Sequence, residues 1–213
     1  QRFSISVPRA SYISEAFAQF SKSLNPDEPA ELFYKETNAQ RVITNILKAD
    51  YHLGILRYQI AVEPYFQALF QEQGLLTRHV CEFVYLAAMS RDNPLAKKEV
   101  LTLENLAPYP RLSYEQGDHN AFYFSEEILS TLESKKDIMV CDRATLFNLL
   151  IGLNGYTICS GVINGELNGK NIVSVPLDVD DYMEIGYITH KKVVPGKFAE
   201  YYIQALREFT EEK

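Results

Sequence analysis

Arg2-Phe3-Ser4-Ile5-Ser6-Val7-Pro8-Arg9-Ala10-Ser11-Tyr12-Ile13, almost at the start of the chain, is a strand, a turn and the start of a helix. Residues 2–7 alternate polar and apolar side chains, as a half-buried strand does, because successive strand side chains point to opposite faces. Pro8-Arg9-Ala10 breaks the alternation. Ile13, Ala16, Phe17, Phe20 and Leu24 then recur at helical spacing over residues 12–24. A helix that begins just past a strand turns its unpaired backbone N–H groups toward the strand's carboxyl end, where an anionic or polar ligand can be held. The same unit recurs later. Ile138-Met139-Val140-Cys141 reads as a strand, Asp142-Arg143-Ala144-Thr145 as the corner, and Leu146, Phe147, Leu149, Leu150 and Leu153 as a helix. Two such corners point to a ligand held between two α/β lobes.

Working outward, a loop at Asn25-Pro26-Asp27-Glu28-Pro29 leads to a strand at 31–36, and Thr37 to Gln40 has capping-box spacing ahead of a helix carrying Val42, Ile43, Ile46 and Leu47. Tyr51 to Leu56 is the next strand, so the chain starts β-α-β-α-β, which implies parallel pairing with helical crossovers. A helix over 64–76 precedes an extended run at 79–90, too long for a typical small-domain strand and therefore expected to leave one lobe and enter another. After the Asn93-Pro94-Leu95-Ala96 turn come a short helix at 103–106, a strand at 111–114, a helix at 121–133, a strand at 138–141, a helix at 143–153 and a strand at 156–160. This is a second β-α-β-α-β set. Asn-Gly turns follow at Asn154, Asn164 and Asn168, then a second long strand at 182–190. The last helix repeats Phe198, Tyr201, Tyr202, Ala205, Leu206 and Phe209 on one face. The expected organisation is lobe I beginning with residues 1–78, a crossing strand at 79–90, lobe II at 91–181, and a return strand and terminal helix of lobe I at 182–213.

With 46% hydrophobic residues the chain can build a real core, and its net charge of −7 argues against a general nucleic-acid surface, which needs clustered Lys and Arg. No apolar run is long enough to span a bilayer. The first residue is Gln, directly before a strand and without a signal-peptide pattern. The expectation is a soluble piece of something longer, with the remainder on the N-terminal side; a mature secreted protein is the competing explanation. Cys81, Cys141 and Cys159 are odd in number, widely spaced and in apolar strand-like contexts, which reads as buried free thiols in a reducing, cytoplasmic compartment.

Catalytic and metal chemistry find little support. His52, His79, His119 and His190 are far apart and lack His or Cys partners at ligand spacing. There is no Gly-x-Gly-x-x-Gly after a strand, no Gly-rich loop ending in Lys-Ser/Thr and no Gly-x-Ser-x-Gly elbow. Cys159-Ser160-Gly161 reads as a strand end, and Glu126-Glu127 and Asp180-Asp181 as solvated faces. The expectation is a protein with no catalytic residues, no metal and no cofactor.

Binding features are better defined. Ser11, Thr37, Asn38 and Thr145 are small hydrogen-bonding residues at helix starts on the strands' carboxyl ends, where open α/β sheets bind ligands. Plain N-capping explains Thr37 and Asp142 about as well. Arg9, Arg57 and Arg143 could supply a planar fork for a carboxylate, although each alone reads as a surface arginine. Ser113 and Tyr114 end the strand that opens the second lobe and would face the cleft.

These stretches together resemble the effector-binding domain of LysR-type transcriptional regulators. Ala49-Asp50-Tyr51-His52-Leu53-Gly54-Ile55 resembles the family's alanine-aspartate-x-glycine-isoleucine strand, with two extra residues before the leucine-glycine pair. Asn93-Pro94-Leu95-Ala96 resembles its histidine-proline-leucine-alanine turn, with Asn for His. The stretch from Leu103 to Tyr114, with Tyr109-Pro110, resembles the short helix and strand opening its second lobe. The stretch from Leu146 to Ser160 resembles its helix and glycine-x-glycine turn, with an extra Asn. The order and spacing of these stretches carry the resemblance more than any one motif.

The resemblance implies an α/β fold of two Rossmann-like lobes joined by two crossing strands, the type 2 periplasmic-binding-protein fold. It implies a small-molecule effector in the cleft, with a carboxylate or amino-acid-like metabolite suggested by the arginines, and pairing as a homodimer or tetramer. It implies DNA contact only through a winged helix-turn-helix that would precede Gln1. Carried over, the effector-contacting positions are the first-lobe turn (Arg9, Ala10, Ser11 and Tyr12), then Thr37 and Asn38, and in the second lobe Arg143 and Thr145. Pro8-Arg9-Ala10-Ser11-Tyr12 departs from the Ser/Thr-rich run of many members. Thr145→Ala is expected to weaken effector binding without unfolding the domain. An extracytoplasmic solute-binding protein of related fold is the alternative, and a prephenate dehydratase-like enzyme a third.

Overall fold

The computed structural model describes residues 1–115, 134, 136–160 and 170–211. The strands are β1 Arg2–Val7, β2 Glu31–Glu36, β3 Leu53–Gln59, β4 Leu75–Ser90, β5 Arg111–Tyr114, β6 Asp137–Val140, β7 Tyr156–Ser160, β8 Ile172–Pro176 and β9 Tyr182–His190. The helices are α1 Ser11–Ser23, α2 Ala39–Leu47, α3 Glu63–Gln73, α4 Leu103–Leu106, α5 Arg143–Leu153 and α6 Gly196–Glu211. The strands run in the order β2-β1-β3-β9-β4-β7-β5-β6, with β8 also on β4. β1 is parallel to β2 and β3, and β5 is parallel to β6 and β7. Each lobe is therefore the parallel βαβ unit expected from the alternation of strand and helix patterns.

One strand joins the lobes. From Leu75 to Val84, β4 pairs antiparallel with β9; from Tyr85 to Met89 it pairs with β7, and from Leu86 to Ser90 with β8. The return runs beside it. Leu177 donates its N–H to the Tyr85 carbonyl (3.0 Å) before β9 begins. The main core spans this junction: Phe3, Ile5, Tyr12, Ile13 and Phe20 of the first lobe join Tyr85, Met89, Tyr156 and Ile158 in one apolar cluster with Tyr202 and Leu206 of α6. A second cluster packs α2 and α3 on β3 through Val42, Ile46, Phe66 and Phe70, and a third packs α5 on β5 and β6 through Leu146, Leu150, Leu112 and Val140. Every residue of β3 is buried, because helices cover both faces. The edge strand β2 instead alternates exposed and half-buried residues.

Several boundaries differ from the sequence expectations. α3 stops at Gln73 rather than at residue 76, since Gly74 adopts the left-handed conformation that ends helices (φ 74°). Leu75 and Leu76 then begin β4, which starts four residues before His79. The expected strand from Tyr51 is displaced to Leu53–Gln59, and that at 138–141 to Asp137–Val140. Tyr201 lies off the buried face of α6, half exposed; Ala199, Tyr202, Ile203 and Leu206 form that face. The three thiols are free, but none is fully buried, and Cys141 is exposed. Burial raises the Cys81 thiol to about 11, so it is poorly nucleophilic. Of the Asn-Gly turns, Asn154 caps α5 in the left-handed region (φ 52°); Asn164, Asn168 and the helix expected at 121–133 lie outside the described residues.

Gly155 marks a close approach. A Cβ there would sit 2.7 Å from the Pro110 carbonyl oxygen and 2.5 Å from Leu112 Cδ1, where β7 enters beside β5. The carbonyl is backbone and cannot swing away, so Gly155→Ala is expected to cost ~1–3 kcal/mol as overpacking does. A urea titration checks it, and an unchanged midpoint would mean that this turn relaxes freely.

Candidate functional site

The carboxyl ends of the parallel strands of the two lobes face one another, and four turns meet there. β1 delivers Arg9, Ala10 and Ser11. β2 delivers Glu36, Thr37 and Asn38. β5 ends at Tyr114, followed by Glu115, and β6 leads through Asp142 into Arg143. Two arginines cross the gap in opposite directions. Arg143, the first residue of α5, donates to Glu36 Oε2 (2.9 Å) and, more weakly, to Ser11 Oγ (3.4 Å) and Ser14 Oγ (3.3 Å). Arg9 donates to the Glu115 carbonyl (3.3 Å) and lies over the Tyr114 ring, 5.3 Å from its centroid. Arg57, only 7% exposed, supports the first turn from β3 by donating to the Arg9 carbonyl (3.3 Å).

The electrostatics centre on Glu36. Burial raises its carboxyl above the ordinary carboxylate range, opposed by the guanidiniums of Arg143, Arg9 and Arg57. Tyr34, one strand step away on the same face, is held protonated chiefly by burial and also by Glu36. At the junction, burial raises the Tyr85 hydroxyl, helped by Asp181 and opposed by Arg57. The guanidiniums of Arg143, Arg9 and Arg57 thus all act on the one Glu36 carboxylate. A guanidinium fork matches a carboxylate in two parallel hydrogen bonds.

The residues singled out from sequence fall into two groups. Arg9, Ser11, Tyr114 and Arg143 are brought together across the gap. Ala10 forms the extended N-cap of α1, which has no side-chain cap, and Ser113 lies half-buried beside Tyr114 on β5. The others have local duties. Tyr12 is turned into the main core, its ring tilted against Phe83 of β4 at 4.9 Å. The Thr37 N–H donates to the Val7 carbonyl (2.8 Å), extending the β1–β2 pairing. The capping box expected from Thr37 is not the one used: Asn38 caps α2, accepting from the Arg41 N–H (2.9 Å). Thr145 is exposed and satisfies Asp142, which accepts its N–H (2.8 Å) and its hydroxyl (2.7 Å). Sequence reasoning missed Glu36, Ser14 and Glu115. The available signal was an acid at the carboxyl end of β2, immediately before a helix start. Among the described residues no three His, Cys, Asp or Glu side chains are grouped to hold a metal ion, and no helix is long and apolar enough to cross a membrane.

The two hydrogen bonds from Thr145 hold the Asp142 carboxyl below its usual range. A carboxyl lowered on folding contributes its stability above its unfolded value, near pH ~4. That contribution is lost as the pH falls through the lower folded value. The amide resonance of Thr145, followed by NMR, is therefore expected to titrate with a midpoint below ~4. A midpoint at or above that value would remove the cap from the α5 start.

Two parallel lobes facing each other across their strand ends and sharing one long strand make up a type 2 periplasmic-binding-protein fold, which solved effector-binding domains of LysR-type transcriptional regulators share. The effector-binding domain of QuiR in complex with shikimate superposes with a TM-score of 0.66 at 12% identity, covering 100% of this chain and 98% of that one. The reduced regulatory domain of OxyR from Pseudomonas aeruginosa gives 0.69 at 14% identity, covering 98% and 95%. HinK, a LysR family transcriptional regulator from Pseudomonas aeruginosa, gives 0.67 at 13% identity, covering 100% of this chain and 71% of that one. At these identities the likeness is one of fold. No family model and no curated protein matches the sequence.

Proposed function

We propose that the chain is the effector-sensing domain of a LysR-type transcription regulator, which takes up a small carboxylate metabolite between its lobes. One observation carries the reading: arginines from opposite lobes cross between them in opposite directions, Arg9 to the Glu115 carbonyl and Arg143 to Glu36 and Ser11. The fold it shares with QuiR, whose effector-binding domain has been seen with shikimate, supports a ligand in that gap. The ligand-contacting set is Arg9, Ala10, Ser11, Ser113, Tyr114 and Arg143, with Thr37, Asn38 and Thr145 setting the turns and Tyr12 backing them from the core. The domain acts without turnover, in the cytoplasm and as a homodimer or tetramer, and reaches DNA through a helix-turn-helix unit of the same regulator. A ligand bridging the lobes biases their closure by no more than its differential affinity for the two arrangements.

Thermal unfolding in the presence of small carboxylates, beginning with shikimate, tests this. A ligand that binds only the native state at a hundred times its Kd adds about 2.7 kcal/mol. The expected result is a rise in Tm with at least one carboxylate and none with its amide analogue. Equal responses to the acid and the neutral analogue would overturn the reading. Consumption of the ligand would favour an enzyme.

A further inference from the structure

The contact between Arg143 and Glu36 joins groups 107 residues apart in sequence and on different lobes. It is a single hydrogen-bonded ion pair of 2.9 Å, with each side chain about one-quarter exposed. The same guanidinium reaches Ser11 and Ser14 at the start of α1. A protein carboxylate thus occupies the arginine that, in the effector-cleft reading on which this inference rests, receives the ligand's acid.

The energetics favour an exchangeable contact over a structural one. The groups facing Glu36 are Arg143 from α5, Arg9 from the first turn, Arg57 from β3 and Tyr34 from its own strand. Desolvation nonetheless dominates, and the Glu36 carboxyl is raised. A partly desolvated pair whose attraction does not cover its hydration loss adds little to stability. Such a pair can be broken by a better-placed anion at little cost to the fold.

We propose that Glu36 is a resident competitor for the ligand: its carboxylate holds Arg143 across the gap and keeps the lobes in contact until an acidic ligand takes its place. The exchange swaps one carboxylate for another on Arg143, so no net charge need be buried there. The competitor also sets selectivity, since a neutral ligand offers Arg143 nothing better than what it already has.

The test measures the lobe contact without any ligand. Ketone-reactive spin labels are placed on p-acetylphenylalanine in place of exposed Lys22 on α1 and exposed Asn148 on α5. Labelled chain is diluted into unlabelled chain so that only distances within one chain are read by pulsed electron resonance. Glu36→Gln and Arg143→Gln, approaching the pair from opposite lobes, are each expected to lengthen or broaden the distance distribution, with circular dichroism unchanged. Identical distributions in wild type and both variants overturn the proposal. Titration with sodium acetate at constant ionic strength supplies the second arm. Glu36→Gln is expected to bind acetate about tenfold more tightly than wild type, equivalent to ~1.4 kcal/mol. If the distances shift but acetate binds neither protein, the pair is a contact between the lobes only, and the competitor falls together with the effector-cleft reading. If acetate binds both equally and the distances do not move, the cleft reading stands and the competitor falls.

Discussion

Tyr202→Ala is expected to lower the stability of this chain by ~3–5 kcal/mol, the usual range for deleting a fully buried aromatic ring. Tyr202 is completely buried in the main core. Its ring meets Phe17 (5.7 Å, 67°) and Phe20 (6.0 Å, 70°) edge-on, and its hydroxyl donates to the Ile13 carbonyl (3.2 Å). These contacts fasten α6 to α1, which begins at the turn carrying Arg9 and Ala10. Loss of the ring leaves a cavity between two helices whose backbones are fixed by neighbouring strands, so little can collapse into it. For a domain stable by ~5–15 kcal/mol this is a large fraction, and Tm should fall by roughly 10 °C. Tyr202→Phe separates the terms. It removes only the hydroxyl and should cost ~1 kcal/mol. Equal costs for the two substitutions in urea titrations would show that the hydrogen bond, not the ring, fastens α6.

Arg143→Gln carries the largest expected effect on binding. A hydrogen bond to a charged group contributes ~1.5–3 kcal/mol, and each ~1.4 kcal/mol is tenfold in affinity. Arg143→Gln should therefore weaken carboxylate binding by about 10–100-fold. Stability should change by no more than ~1 kcal/mol, because the ion pair is partly exposed and offset by desolvation. Calorimetric titration of a carboxylate found by thermal shift measures the first effect and urea unfolding the second. If Glu36 competes for Arg143, the gain in affinity from Glu36→Gln will vanish in the Arg143→Gln background, since the two residues act through one contact. Undiminished affinity in Arg143→Gln would move the ligand away from α5 and toward Arg9 and Arg57.

Much of the fold was legible locally. β1 and α5 begin and end where their periodicities and corner residues place them, and α1 is displaced by only one residue. Strand alternation, helical recurrence and N-caps operate over about four residues, so a sequence window contains the forces that set them. The failures were also local in kind. The helix expected through Leu76 gave way to the left-handed Gly74, and the cap expected at Thr37 was supplied by its neighbour Asn38. In both places two adjacent residues offered competing local solutions, and tertiary packing chose between them.

The candidate site was legible in part. That the turns after β1 and β6 would form one site followed from placing small polar residues and arginines at helix starts on the strands' carboxyl ends. The pairing of Arg143 with Glu36, and of Arg9 with Tyr114 and Glu115, did not follow. Nor did the inward turn of Tyr12, or the engagement of Thr145 by Asp142. The sequence alone thus set most of the described strands and helices and their alternation as parallel units, though not β8 at Ile172–Pro176, which no expected element covered. Only the tertiary structure decided which side chains face each other across the gap. That choice depends on where β4 changes partners between Val84 and Tyr85 and on the angle this gives the lobes. Contacts made across a hundred residues leave no periodic trace in the chain that makes them.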